Sequence, residues 1–108
     1  IWKKSRLFCS KIYNVTSSFR NEEKFGITNQ LRRAVVSIPS NIAEGSSRNS
    51  NKDFARFLEI AIGSAYEVKT QLLISSDLRF INEENTTELV NLLEEITKMT
   101  SRFRATLL

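Results

Sequence analysis

Between Asn51 and Leu78, the residues Phe54, Leu58, Ala61, Ala65, Val68 and Leu72 follow one another at steps of four, three, four, three and four. This spacing lies close to the 3.5-residue repeat that keeps one face of an α-helix turned toward neighbouring helices. A strand, which alternates faces every second residue, cannot reproduce it. No Pro interrupts the segment, so one helix of about 40 Å is expected, and it needs partners of comparable length. Ser50 with Asp53 three positions on resembles a capping box, with Asp in place of the usual Glu or Gln. A second stripe of Phe57, Ile62, Tyr66 and Leu73 widens the apolar face and predicts more than one neighbour. The small residues Ala61, Gly63, Ser64 and Ala65 mark where another backbone is expected to approach closely.

The rest of the chain supplies those partners. Phe8, Ile12, Val15 and Phe19 recur at helical steps and predict a first helix from about Trp2 to Phe19. Polar residues 21–24 then lead to a turn at Phe25-Gly26. Ile27, Leu31, Val35, Ile38 and Ile42 predict a second helix from Ile27 or Thr28 toward Glu44, with Gly45 as its C-terminal stop. Pro39 falls inside this pattern and cannot donate to the carbonyl of Val35, which predicts a kink or a break. Ser37, Ser40 and Asn41 beside it are expected to satisfy the freed backbone groups. A last helix opens at Asn82 or Asn85, with Glu83, Glu84 and Glu88 near its positive end. Its core face is Leu89, Leu92, Leu93, Ile96, Met99 and Phe103. Strand signals are weak and the connections short, so the expectation for residues 1–108 is a single all-α domain, an antiparallel up-down-up-down four-helix bundle with a Pro kink in helix 2.

Composition narrows the chemistry. There is no His and one Cys, so imidazole bases, His-containing zinc sites, internal disulfides and all-Cys metal sites are excluded. Glu44, Glu59 and Glu67 are the only candidates for paired-carboxylate work, and without a Glu-x-x-His motif they do not make a di-iron site. The expectation is a non-enzymatic protein without cofactor, metal or small-molecule substrate. No apolar run approaches a membrane span and no secretion signal is visible, which predicts a cytoplasmic, membrane-free protein. The absence of Met at position 1 predicts that the natural chain begins upstream.

Two stretches resemble a known family. The run from Gln30 to Gly45, with Ser37-Ile38-Pro39-Ser40-Asn41-Ile42-Ala43-Glu44-Gly45 at its heart, is similar to the signature of the bacterial four helix bundle protein family. Its members were first described as products of intervening sequences in large-subunit ribosomal RNA genes and are sometimes labelled S23 ribosomal proteins. Phe57 to Glu67, followed by Gln71-Leu72, resembles the second motif of that family. The resemblance implies an antiparallel four-helix bundle that assembles as a homopentamer, with no established catalytic activity. A related protein, the accessory variability determinant of diversity-generating retroelements, is a basic pentamer that binds nucleic acid. Arg33, Pro39, Asn41, Glu44, Gly45, Glu59, Gly63 and Glu67 are read as structural motif residues.

Charge is the remaining functional signal. Lys and Arg number 16 against 12 acids, a net of +4. Residues 1–20 carry Lys3, Lys4, Arg6, Lys11 and Arg20 with no acid, whereas residues 81–108 are net acidic. Lys3, Lys4, Arg6 and Lys11, with Arg32, are the candidate contacts to RNA or DNA phosphates. The competing reading is a solvated face packed against the acidic last helix of the same or a neighbouring subunit, in a protein-interaction or scaffolding module. Arg32 and Arg33 have a structural alternative too, an ion pair with Glu44, Glu59 or Glu67. Trp2, Tyr13, Tyr66 and Phe80 belong either to a subunit interface or to the ends of the monomer's core.

Overall fold

The computed structural model describes residues 1–23 and 25–108, leaving Lys24 of the linker outside the described residues. Among the described residues four α-helices follow one another: α1 (Trp2–Thr16), α2 (Ile27–Ser46), α3 (Asn51–Asp77) and α4 (Glu83–Thr106), with a 3-10 turn at Asn21–Glu23. Each packs on its sequence neighbours and α4 returns to α1, while the backbones of the diagonal pairs α1–α3 and α2–α4 stay farther apart among the described residues. Contacts advance along one helix as they recede along the next. Cys9 meets Val35 whereas Thr16 meets Arg32; Ser37 meets Ser64 whereas Gly45 meets Phe54 and Phe57; Lys69 meets Glu94 whereas Glu59 meets Arg104. The molecule is elongated, 43 × 24 × 19 Å.

The helical stripes form the core. Phe8 and Ile12, Leu31, Val35 and Ile38, Leu58, Val68 and Leu72, and Leu89, Leu93 and Ile96 are buried together. Each such aliphatic side chain contributes about 1.5–3 kcal/mol through water exclusion. Phe103, expected in the core, lies at the surface and meets Phe54 edge-on at 5.4 Å. Tyr66 and Leu73 of the second stripe are exposed, Tyr66 beside a recess that it shares with Leu93 and Thr97 of α4. Phe80 closes one end of the bundle against Phe19, with ring centroids 5.6 Å apart.

Helix ends follow local chemistry. α1 stops at Thr16 rather than Phe19, because Thr16, Ser17 and Ser18 turn their hydroxyls back to the carbonyls of Ile12, Asn14 and Val15. Such side-chain bonds compete with continuation of the helix. The Ser50 hydroxyl accepts the Asp53 N–H at 3.1 Å, and Asn82 rather than Asn85 caps α4, accepting the Asn85 N–H at 2.7 Å. α3 ends in a Schellman motif: the Phe80 N–H reaches the Ser75 carbonyl and the Arg79 N–H the Ser76 carbonyl. Arg79 takes the left-handed conformation that this motif needs, with φ 63°.

Two expectations for α2 are corrected. The helix runs unbroken through Pro39, so no break occurs there. Gly45 is not its stop: it remains helical and buried, and a Cβ there would sit 2.7 Å from the Phe57 Cβ. α2 therefore approaches α3 closely at Gly45 as well as at Ser64, where Ser37 meets it, while Gly63 of the small-residue cluster is exposed with open space around its Cβ position.

Candidate nucleic-acid interface

The cations of α1 divide between two sides. Lys4 turns toward α4 and forms an ion pair with Glu95. Lys11 shares a shallow recess with Glu88 on that same side. This is the basic face set against the acidic last helix, and it lies within one chain. Lys3 and Arg6 border a separate recess with Leu7 and Ser10.

The opposite edge of α1 meets α2 in a seam that alternates aromatic rings with arginines. The Arg6 guanidinium lies over the Trp2 ring at 4.7 Å, and that of Arg32 over the Tyr13 ring at 4.5 Å. Trp2 and Arg6 stand four apart on one helix, so their meeting is local. Arg32 comes from α2, and its Nε donates to Thr16 Oγ1 at 2.9 Å while one terminal nitrogen donates to the Tyr13 carbonyl at 3.2 Å. The guanidinium is thereby held over the ring, and it ties α2 to the last turns of α1. Arg33 is exposed beside it. α1 contains no carboxylate, and the only acid of α2, Glu44, is in an ion pair with Arg48 at 3.0 Å, at the end of α2 that the antiparallel packing sets level with the start of α1. The α1 side of the seam thus carries cations without an acid of its own helix.

The motif residues hold the bundle together. Pro39 is buried. The Val35 carbonyl, deprived of its helical donor, accepts the Cys9 S–H from α1 at 3.1 Å. Burial pushes the Cys9 thiol up to about 11, so it stays protonated and able to donate at neutral pH. Asn41 Nδ2 donates to the carbonyl and hydroxyl of Ser37, and Ser37 shares a 2.8 Å hydrogen bond with buried Ser64 of α3. The expected pairing of Arg32 or Arg33 with Glu44, Glu59 or Glu67 does not form. Glu44 belongs to Arg48, Glu59 to Arg104 at 3.4 Å, and Glu67 is exposed. The reason is rotation about the helix axes, which turns Arg32 toward α1 and away from α3.

A family model described as 23S rRNA-intervening sequence protein matches residues 1–102. The chain belongs to the 23S rRNA-intervening sequence protein family. It is similar to a crystal structure of a protein of unknown function from the S23 ribosomal protein family of Bacteroides thetaiotaomicron. The two are 30% identical with a TM-score of 0.88, over 95% of this chain and 96% of that one. A search of curated proteins finds no match.

Lys3, Arg6 and Arg32 border or form the α1–α2 seam, and Lys4 and Lys11 face α4 instead. Sequence reasoning had no means of coupling Arg32 to Tyr13, because the two are 19 residues apart on different helices. The Trp2–Arg6 stack was open to it, since an aromatic and an arginine four apart on a helix share an edge. Among the described residues, no helix is long and apolar enough to cross a membrane, and no group of three Cys, Asp or Glu is gathered for a metal.

Proposed function

We propose that this protein is a non-enzymatic, self-associating bundle that binds RNA or DNA through the outer seam between α1 and α2. The observation that carries the reading is the seam itself: two arginine-on-aromatic stacks along one edge of α1, Arg6 on Trp2 and Arg32 on Tyr13, with Lys3 and Arg33 exposed and no acid on α1. Phosphates meeting such a surface release counterions, so binding is salt-dependent. Lys4 contributes less, because Glu95 already neutralises it and the exposed pair is worth little energy either way.

Self-association rests on different residues. Ile60, Tyr66, Leu73, Ile74 and Leu78 of α3 and its C-cap are exposed, with Tyr66 at 61%. An apolar surface of this kind marks an interaction site. Assembly on α3 leaves the seam of every copy free and multiplies its charge.

The binding test is fluorescence anisotropy of labelled RNA and DNA at low and near-physiological salt. Reversing Lys3 and Arg6 to Glu is expected to abolish binding, whereas reversing Lys4 and Lys11 weakens it only through the overall field. Equal loss in both variants would return the site to the whole first helix. No binding at low salt would leave assembly or a protein partner as the function.

A further inference from the structure

We infer that the α1–α2 seam takes single-stranded rather than duplex nucleic acid, with bases stacked on Trp2 and Tyr13; this rests on the nucleic-acid reading above. Trp2 and Tyr13 are 44% and 41% exposed although a guanidinium already lies over each ring. A surface built only for phosphates has no use for half-exposed aromatic rings. A duplex presents phosphates and groove edges while its base faces stay buried in their own stack. A single strand presents those faces, and an aromatic ring or an arginine plane accepts any of them without sequence preference.

The placement fits an extended strand. Trp2 and Tyr13 are eleven residues apart, three helical turns, so they share one edge of α1 about 16 Å apart along the axis. At about 3.4 Å per stacked nucleotide, that distance is covered by about five nucleotides. Arg32 is held on Tyr13 by its bonds to Thr16 and to the Tyr13 carbonyl, so this platform is formed before any ligand arrives. Preorganisation of that kind lowers the ordering cost of binding. Arg6 flanks Trp2, and Lys3, Arg6 and Arg33 are exposed and free of ion pairs among the described residues, leaving them to meet the backbone of the same strand.

Trp2 is the only tryptophan, so its own emission reports on the site. A 12-nucleotide single-stranded RNA and the 12-base-pair duplex of the same sequence are titrated into the full chain at low salt, read by Trp2 fluorescence and by anisotropy of a label on the RNA. The single strand is expected to bind about tenfold tighter and to quench Trp2, which the duplex leaves unchanged. Trp2→Leu, at the half-exposed first residue of α1 and checked for helix content by circular dichroism, is expected to weaken single-strand binding about tenfold and to leave duplex binding as it was. Equal binding of both probes, with Trp2→Leu indistinguishable from the parent chain, would overturn single-strand stacking while the phosphate-binding reading stood. Absence of binding by either probe would overturn both.

Discussion

Pro39 and Cys9 show how a residue that breaks a local rule is accommodated by one from another helix. Proline inside a helix removes one hydrogen bond and leaves a carbonyl exposed within the fold. Here that carbonyl, on Val35, receives the thiol of Cys9 across the α1–α2 contact. Cys9→Ala is therefore expected to cost about 1 kcal/mol in urea denaturation, the usual consequence of stranding a partly buried acceptor. The cost should shrink in a Pro39→Ala background, where the backbone N–H of residue 39 is restored. An equal cost in both backgrounds would separate the two residues. The raised thiol pKa adds a sign: folding favours the protonated form, so this contribution is complete at neutral pH and is lost as pH rises past the ordinary thiol value toward about 11.

Between elements, the two helical glycines of this protein have opposite roles although both lie in motif-like stretches. At Gly45 the backbone of α2 presses against Phe54 and Phe57, and an added Cβ would meet both within 3 Å. Gly45→Ala is expected to destabilise by about 1–3 kcal/mol, because overpacking outweighs the gain in helix propensity. Gly63 has open space around it, so Gly63→Ala should stabilise by about 1 kcal/mol. Thermal unfolding of the two variants side by side checks both signs; stabilisation by Gly45→Ala would mean that α2 and α3 pack less closely than described. The Ser37–Ser64 hydrogen bond runs between the same two helices, with Asn41 holding Ser37 from within α2, and fixes their register with polar atoms, a task apolar contacts perform less selectively.

At the scale of the whole molecule, charge and apolar surface are segregated. The α1–α2 side is basic and aromatic, the α1–α4 side is neutralised by pairs such as Lys4–Glu95, and α3 exposes apolar side chains. On the proposed assembly, sedimentation equilibrium should return a multiple of the 12.4 kDa chain mass. Tyr66→Glu with Leu73→Glu should shift that mass toward the monomer, since two charges in an apolar interface cost several kcal/mol to desolvate. A monomer mass for the unaltered chain would remove assembly from the proposed function and leave the seam to act alone.

The number of helices, their order and most of their core residues were legible in the sequence, because a helical period is a local property that survives without knowledge of the partners. Leu58, Val68 and Leu72 declare their face by spacing alone, and Ser50 and Asn82 declare helix starts by the reach of their side chains to the first free N–H groups. What the tertiary structure decided was which residues of different helices meet. Arg32 on Tyr13, Cys9 on Val35, Lys4 on Glu95 and Gly45 against Phe57 each depend on the rotation and register of two helices at once. A rotation by one residue, 100°, would exchange every one of these partners while leaving the sequence pattern almost unchanged. The helices are thus written along the chain, and the seam on which a ligand is proposed to sit exists only after they have packed.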